Sequence, residues 1–333
     1  MPRISVIIPA YNEEATIRKV LEGFYRALPK AYFYVIDNNS TDFTRKAAEA
    51  AIKKLGLKGD VIFEPRRGKA NAVRRAFTEI DSDIFVLVDA DCTYSPHDAA
   101  GLLFPVSNDS ADMVVGDRIS GGYYSRENKR PFHNFGNHLV KLIINFIFKS
   151  SLKDIMSGYR VFNRKFVKNF PILSEGFEIE TEMTLHALDK RFRIVEIPVD
   201  YRDRPQGSKS KLNTIKDGFK VIMTIFRILR DYKPLQFFGS TAIFCFLAGI
   251  IIGLPVIAEY IKYRYIFKVP SAILAMGFII ISFLLMSIGL ILDTISRQYR
   301  FNYEYSLLSY SSSKRTGLNN STISGNGSSF RAR

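Results

Sequence analysis

The sequence contains no tryptophan and only two cysteines, Cys92 and Cys245. Two cysteines cannot form the disulfide framework of a small secreted protein, so a reducing compartment is the simpler expectation. Acidic residues are also scarce: 32 Asp and Glu stand against 47 Lys and Arg, which gives a formal net charge of +15. This excess favours an anionic partner, such as nucleic acid, an anionic membrane surface or a phosphorylated substrate.

The N-terminus lacks the pattern of a secretory signal peptide, because the short apolar run of MPRISVIIPAYNEE turns acidic at once. The composition, with 47% hydrophobic and 24% charged residues, excludes a disordered chain and allows a sizeable core. We therefore expect a folded protein whose basic surface meets phosphate or lipid.

Apolar, β-branched segments alternate with helical patterns up to residue 200. This alternation is typical of an α/β fold with a mostly parallel sheet flanked by helices. The strands are apolar throughout because both faces of such a sheet are covered. Helices are predicted at 13–27 and 41–55. The predicted strands are 4–10, 33–37, 60–64, 84–90, 112–117 and 193–199.

Two later stretches, 235–258 and 269–292, contain no charged residue. Each is long enough to cross a hydrocarbon core of about 30 Å, which predicts a transmembrane hairpin over 235–293. Basic residues flank both spans and also occupy the link between them, so the charge distribution orients the hairpin only weakly. The lack of a signal peptide favours a cytoplasmic soluble domain, predicted over 1–210.

The remaining segments are predicted from their composition. Basic and apolar residues are mixed in 132–150 and in 211–234, which predicts an interfacial helix and an amphipathic juxtamembrane helix. The polar tail at 294–333 becomes rich in Ser, Gly and Asn from Ser309 onward, and there we expect no regular structure.

Asp89 and Asp91 follow a buried predicted strand. Ligands of open α/β sheets bind at the carboxyl ends of the strands. Two carboxylates this close repel one another unless a cation lies between them, and Mg²⁺ or Mn²⁺ often binds one or two carboxylates together with substrate phosphates. An isolated Asp-x-Asp also occurs in ordinary turns, so the pair alone does not identify a metal site.

Further polar groups follow the other predicted strands of the same sheet. They are Asn12 and Glu13 after the first strand, Asp37 and Asn38 after the second, Gly68 and Lys69 after the third, and Asp117 and Arg118 after the fifth. Together with the Asp-x-Asp pair, these motifs resemble the family 2 glycosyltransferases of GT-A fold, over residues 3–210.

The resemblance extends to one branch of that family. MSGYRVFNRKF (156–166), GFEIETEMTLHAL (176–188) and YRDRPQGSKSKL (201–212), followed by a membrane hairpin, are similar to the dolichol-phosphate and polyprenyl-phosphate glycosyltransferases. The resemblance implies a Rossmann-like GT-A domain that transfers a hexose, with inversion, from a nucleotide sugar to a polyprenyl phosphate. It also implies an integral membrane enzyme with a cytoplasmic catalytic domain, in the plasma membrane of a prokaryote.

The same resemblance implies roles for individual residues. Asp89 and Asp91 would hold Mg²⁺ or Mn²⁺, and Arg118 and Arg130 would contact the lipid phosphate. The basic candidates around that phosphate also include Arg202, Arg204, Lys209 and Lys211. Some relatives carry a further metal ligand at the position of Thr93. The implied donor-binding residues are Pro9, Tyr11, Asn12, Glu13, Asp37, Asn38, Gly68, Lys69, Asp89, Ala90, Asp91, Arg202 and Lys209.

Two acidic residues each have two interpretations, one functional and one structural. Glu180 and Glu182 lie near where relatives that need a base carry a catalytic carboxylate, so one of them orients the donor sugar or both are ordinary acids at a helix start. UDP-glucose and UDP-N-acetylglucosamine are favoured over GDP-mannose as donors, and a homo-oligomer stays open.

Other functions fit the sequence less well. A processive polysaccharide synthase would need a Gln-x-x-Arg-Trp motif, and the chain has no tryptophan. A nucleotidyltransferase would need a glycine-rich loop after the first strand, where VIIPAYNEE has none. No nucleic-acid-binding motif occurs, and a non-catalytic membrane scaffold would not need the metal and nucleotide motifs together. Direct transfer to a glycan or lipid hydroxyl remains the alternative.

Overall fold

The computed structural model of the protein describes residues 2–120, 131–173, 179–202 and 226–325, and the side chains of all of these except 131–137 and 309–325. The chain divides into two compact units, Met1–Val221 and Ile222–Arg333. The first unit contains a sheet with its covering helices, and the second contains two long helices.

In the first unit, strands and helices alternate as the sequence predicts. The elements are β1 (Ile4–Ala10), α1 (Ile17–Ala27), β2 (Tyr32–Asp37), α2 (Thr44–Leu55), β3 (Lys58–Phe63), α3 (Lys69–Glu79), β4 (Ile84–Leu87), α4 (Ala99–Ser107), β5 (Met113–Asp117), α5 (Pro131–Phe148), β6 (Arg160–Asn163), α6 (Arg164–Lys168), α7 (Ile179–Asp189) and β7 (Ile194–Pro198). A short 3-10 helix, Pro96–Asp98, precedes α4.

The seven strands form one mixed sheet in the order β3-β2-β1-β4-β6-β5-β7. Strand β6 pairs antiparallel with both β4 and β5, and every other pair is parallel. Six strands therefore point the same way, so the loops that follow them meet at one edge of the sheet. We call this edge, at the carboxyl ends of the six parallel strands, the carboxyl edge.

Strand β6 was not predicted. Its four residues, RVFN, begin with an arginine and are too short to show a periodic pattern. They become a strand only because β4 and β5 provide backbone partners on both sides. The six predicted strands all occur, with ends that differ by at most three residues from the predicted ends.

Helices cover both faces of the sheet, which explains why its strands are apolar throughout. On one face, Val6 and Val35 pack in the same core cluster as Leu21 and Phe24 of α1. On the other face, Phe77 of α3 makes edge contacts with Phe85 of β4 at 5.9 Å and with Phe162 of β6 at 5.7 Å. These side chains are at most 4% exposed, and each contributes about 1.5–3 kcal/mol of burial free energy.

The second unit contains α8 (Pro234–Tyr263) and α9 (Val269–Gly325). Both helices are long and apolar enough to cross a membrane, and most of their apolar surface is exposed. Gly249 lets the two helices approach closely, because a Cβ there would lie 2.8 Å from Cγ1 of Ile279 and 3.1 Å from the carbonyl oxygen of Ala275. The two predicted spans thus lie within paired helices that form a hairpin.

The polar tail differs from the expectation. Helix α9 continues to Gly325, so 309–325 are helical where no regular structure was expected. The chain has no proline after Pro270 and no glycine between Gly289 and Gly317, so no helix breaker interrupts the segment that leaves the second span. Of the predicted juxtamembrane helix at 211–234, the stretch 211–225 lies outside the described residues and 226–232 is helical. The predicted helix at 132–150 is α5.

Candidate functional site

The acidic pair lies at the carboxyl edge, directly after β4. Asp91 is 5% exposed, and its Oδ1 accepts hydrogen bonds from the backbone nitrogen and Oγ1 of Thr93, at 3.2 and 2.6 Å. Cys92 between them has a φ of 62°, which makes the sharp turn that brings Thr93 back to Asp91. The side chain of Asp89 is 27% exposed and therefore open to a ligand. Thr93, at the position where some relatives carry a further metal ligand, uses its hydroxyl to hold Asp91.

Lys69 links this pair to α7. It is the first residue of α3, its side chain is 10% exposed, and its Nζ donates to Oδ1 of Asp89 and, at 2.5 Å, to Oε1 of Glu180. Burial alone would lower the pKa of Lys69, but the charges and hydrogen bonds of Asp89 and Glu180 raise it above its ordinary value. Lys69 is therefore held as an ammonium ion between two carboxylates.

Glu180 occupies the first turn of α7 and is 5% exposed. Its contact with Lys69 places it beside Asp89, whereas Glu182 turns away and accepts a hydrogen bond from the backbone nitrogen of Leu173 at 2.8 Å. Of the two acids that the sequence left open, Glu180 is the one that the described contacts connect to the acidic pair.

The loop after β3 delivers Lys69 through a clamp made by Asn38. The Nδ2 of Asn38 donates to the carbonyl oxygen of Arg66 at 2.6 Å, and its Oδ1 accepts from the backbone nitrogen of Gly68 at 2.7 Å. Gly68 has a φ of 125°, a conformation that favours glycine. Asn38 and Gly68, which are predicted to bind the donor, shape this loop. Asp37 is 3% exposed and accepts from the backbone nitrogen of Ser40 at 3.3 Å.

The loop after β1 is tied to the loop after β2. Oδ1 of Asn12 accepts from the backbone nitrogen of Thr41 at 2.8 Å, and the backbone nitrogen of Glu13 donates to Oγ1 of Thr44 at 2.8 Å. Asn12 has a φ of 56°, which asparagine tolerates better than most residues. Both predicted donor-binding residues are therefore engaged in fixing these two loops together.

Two more predicted residues lie at the end of β1 and directly after it. Pro9 lies partly buried near the end of β1, and the ring of partly buried Tyr11 is 5.6 Å from the guanidinium carbon of Arg67. Arg67 is exposed. This aromatic and cationic pair offers a flat surface at the carboxyl edge.

A second cluster forms around Arg118, directly after β5. Its guanidinium donates to both carboxylate oxygens of Asp154, from Nε at 2.7 Å and from Nη2 at 2.9 Å, and its centre lies 5.4 Å from the ring of Tyr201. Burial would raise the pKa of Asp154, but the hydrogen bonds and charge of Arg118 hold it below its ordinary value. Glu196 fixes the same loop by accepting from the backbone nitrogen of Asp154 at 2.8 Å.

The two clusters are joined by a short backbone pairing. Tyr94 and Tyr201 form a bridge, and the backbone nitrogen of Arg202 donates to the carbonyl oxygen of Thr93 at 2.8 Å. The backbone of Arg202 is therefore anchored to Thr93, which follows Asp91 by two residues in the chain, and the side chain of Arg202 is exposed. Ala90, also predicted, is a buried spacer between the two acids, 3% exposed.

Sequence reasoning missed Asp154 and Gly158, whereas Arg160 belongs to the motif MSGYRVFNRKF that carries the resemblance. Asp154 binds Arg118, and Gly158 lies against Asp89 and Lys69. Arg160 is fully buried and donates to the carbonyl oxygens of Ser157 and Ile155, at 2.8 and 2.5 Å, which holds this loop on β6. The motif MSGYR pointed to the segment, but the approach of Gly158 to Asp89 and Lys69 involves residues distant in the chain.

Four predicted basic residues have no structural account. Arg130 and Lys209, together with Arg204 and Lys211, lie outside the described residues.

The described residues fit a divalent cation that takes only some of its ligands from the protein. Within the described ranges no group of three or more His, Cys, Asp or Glu side chains gathers around one point, so protein ligands alone do not complete a cage. Asp89 and Asp91 provide hard carboxylate oxygens at the carboxyl edge, and Gly158 leaves the room that the Asp89 carboxylate occupies, since a Cβ there would lie 2.5 Å from its Oδ2. One or two carboxylates suit an ion that takes its remaining ligands from phosphate and water.

Comparison with known proteins identifies the family of the chain. Residues 5–170 match the family model described as Glycosyl transferase family 2. The chain is 32% identical to glycosyltransferase AglJ of Haloferax volcanii, over 89% of this chain and 95% of that protein. It is 26% identical to the dolichyl-phosphate hexose transferase of Haloferax volcanii, over 69% of this chain and 95% of that protein.

The fold has solved counterparts. Glucosyl-3-phosphoglycerate synthase from Mycobacterium tuberculosis, in complex with Mn²⁺, UDP and phosphoglyceric acid, superposes with a TM-score of 0.52. It is 21% identical, and the match covers 68% of this chain and 78% of that structure. This likeness confirms the predicted GT-A fold. Since AglJ is similar over nearly its whole length, the chain belongs to glycosyl transferase family 2 and is a glycosyltransferase.

Proposed function

We propose that the protein transfers a hexose from a nucleotide sugar to a polyprenyl phosphate, with inversion at the anomeric carbon. The observation that carries the proposal is that one chain joins an acidic pair at the carboxyl edge of its sheet to two helices long and apolar enough to cross a membrane. The similar hexose transferase of Haloferax volcanii, which is named for dolichyl phosphate, supports the lipid acceptor.

The donor half of the site is assigned to the acidic pair and its loops. Asp89 and Asp91 would hold Mg²⁺ or Mn²⁺, which when bound supplies positive charge to the leaving diphosphate. The synthase of the same fold was solved with Mn²⁺ and UDP, which supports this metal and nucleotide class. Asp37 at the end of β2 and the Tyr11–Arg67 pair would receive the nucleoside, and a UDP-sugar remains the favoured donor.

The acceptor half is assigned to Arg118 and Arg202, with Arg130 and Lys209 as further candidates outside the described residues. A guanidinium binds phosphate through a rigid set of N–H donors, and the contacts with Asp154 and Tyr201 hold that of Arg118 in one orientation. A phosphate monoester with a second pKa of about 6 is largely dianionic at neutral pH, so it attacks without a general base.

The proposed transfer forms one bond and breaks one bond at the anomeric carbon. An oxygen of the lipid phosphate forms a bond to the anomeric carbon of the hexose from the face opposite the diphosphate. The bond between that carbon and the diphosphate oxygen breaks, and the nucleoside diphosphate leaves with the electron pair. What the protein must supply is the approach of two anions, through cations and hydrogen-bond donors.

The membrane would bring the lipid to this site. Helices α8 and α9 are assigned as the transmembrane hairpin, with the catalytic domain on the cytoplasmic side and a prokaryotic plasma membrane as the expected location. On α5, Leu142 and Phe146 are four residues apart and 51% and 86% exposed, which favours a helix lying in the membrane interface.

The test is transfer by the purified full-length chain in detergent to a short polyprenyl phosphate. UDP-glucose, UDP-N-acetylglucosamine and GDP-mannose are compared as donors, with Mg²⁺ or Mn²⁺ and then with EDTA. We expect labelled lipid from one donor and its loss with EDTA. Sugar transferred to a glycan or lipid hydroxyl, with no sugar on the lipid phosphate, would replace the proposal by the alternative acceptor.

A further inference from the structure

Lys69 lies where a cation would be needed to neutralise Asp89. Its ammonium contacts Oδ1 of Asp89 and Oε1 of Glu180, and the Lys69 and Glu180 side chains are only 10% and 6% exposed. Asp89 and Glu180 share this one ammonium, and with the carboxylate of Asp91, two residues after Asp89 in the chain, the four groups carry a formal charge of −2. A divalent cation would neutralise that charge, yet it would also meet a positive charge already placed at Asp89.

The position of Lys69 is determined from two directions. The clamp of Asn38 on Gly68 sets the start of α3, from which the lysine extends. On the other side, a Cβ on Gly158 would lie 3.0 Å from Nζ of Lys69 and 2.5 Å from Oδ2 of Asp89, so the backbone there closes over the ion pair. A side chain held this firmly does not leave its carboxylates without a replacement charge.

We propose that Lys69 is a positioning residue that serves as the internal counter-ion of Asp89, so that the divalent metal and the donor diphosphate bind together and the metal alone binds weakly. The inference rests on the proposed function, because it takes the metal and the diphosphate from it. The ammonium and the metal compete for the same carboxylate, and two cations at short distance repel.

Arrival of the diphosphate changes this balance, because its negative charge attracts both cations. Glu180 has the complementary role, because it would keep its ion pair with the ammonium of Lys69 when Asp89 binds the metal. Glu180 is thereby a partner of Lys69 and acts on Asp89 through it.

The experiment measures the Kd of Mn²⁺ by electron paramagnetic resonance on the full-length chain in detergent. Mn²⁺ is titrated alone and then with UDP or GDP, into the wild type, Lys69→Met, Lys69→Arg and Glu180→Gln. Lys69→Met should bind Mn²⁺ alone about tenfold more tightly than the wild type, because the competing charge is gone. Lys69→Arg should restore the weak binding, and Glu180→Gln should weaken it further, because Asp89 then keeps the ammonium for itself.

Lys168→Met is the matched control. Lys168 also packs against α3, but its Nζ donates to the carbonyl oxygens of Phe77 and Ile80 and to no carboxylate among the described contacts. This variant should leave the Kd of Mn²⁺ unchanged, and thermal unfolding reports whether each variant is folded.

The outcomes separate the two proposals. Equal Kd values for Mn²⁺ alone in the wild type and in folded Lys69→Met, with tighter binding when nucleotide is added, would overturn the counter-ion role and leave the proposed function standing. If Lys69→Met does not fold, the Kd of Mn²⁺ alone for Glu180→Gln decides between the outcomes. A Kd equal to or lower than that of the wild type then overturns the counter-ion role of Lys69. Absence of Mn²⁺ binding by every variant, with or without nucleotide, overturns both.

Discussion

Arg118 and Asp154 form a two-point ion pair at the carboxyl edge of the sheet, with hydrogen bonds of 2.7 and 2.9 Å between the guanidinium and the carboxylate. The side chains are 14% and 4% exposed. The pair joins the end of β5 to the loop before β6, and it gives an arginine at the proposed phosphate site a single orientation.

The first prediction concerns this pair. Asp154→Asn should raise the KM for polyprenyl phosphate about tenfold and leave the KM for the nucleotide sugar unchanged, because an amide NH₂ faces guanidinium N–H groups and turns Arg118 away. Steady-state kinetics with each substrate varied in turn measures both constants.

The control for this prediction is Asp112→Asn. Asp112 accepts from Nε and Nη2 of Arg193 at 3.1 and 3.0 Å, a pair of similar geometry that lies at the start of β5, away from the carboxyl edge. It should lower stability without changing the KM for the lipid. Equal effects of the two variants on that KM would contradict the assignment of Arg118.

The second prediction tests the acidic pair. Asp91→Ala should abolish transfer and leave the protein folded, because the variant removes a metal ligand from a turn rather than an apolar core contact. The activity assay and thermal unfolding in detergent measure the two effects. Asp60→Asn, an exposed acid on the edge strand β3, should retain full activity. Wild-type turnover by Asp91→Ala would refute the metal assignment.

The third prediction concerns pH. His186 is 7% exposed among the rings of Phe166, Phe170 and Phe192, and burial lowers its pKa from 6.5 to about 4. The unfolded chain therefore binds a proton between these values that the folded chain does not, so stability is full above pH 6.5 and falls as the pH drops towards 4.

The contribution lost over that interval is on the order of 3 kcal/mol. His186→Phe should remove this part of the acid sensitivity, measured as the dependence of Tm on pH between 7 and 4.5. Replacing the exposed His97 by Gln should leave the dependence as in the wild type. An unchanged slope in His186→Phe would show that other groups cause it.

The fourth prediction concerns the hairpin. Gly249→Ala should lower the Tm in detergent, because the added Cβ would lie 2.8 Å from Ile279 and 3.1 Å from the backbone oxygen of Ala275. Gly277→Ala is the matched control in the facing helix, where the added Cβ has no heavy atom within 4 Å apart from the adjoining backbone of its own helix. Since alanine favours a helix more than glycine does, that variant should be neutral or more stable. The reverse order of the two Tm values would contradict the packing.

The six predicted strands were found because their signal is local. An apolar, β-branched run such as ISVIIPA forms a covered strand whichever neighbour it pairs with, and a long uncharged stretch such as 269–292 needs only its own length to span a membrane. Strand β6 and the helical tail at 309–325 were missed, since the first depends on partners on both sides and the second has a composition typical of disorder.

The sequence by itself determined the alternating α/β order, the two apolar helices and the acidic pair at a strand end, because each depends on residues adjacent in the chain. Only the tertiary structure decided that Lys69 joins Asp89 to Glu180 and that Arg118 meets Asp154. The partners in these contacts are 20, 111 and 36 residues apart, and the sheet order brings them to one edge. No local pattern encodes such pairings, because they depend on which strands become neighbours.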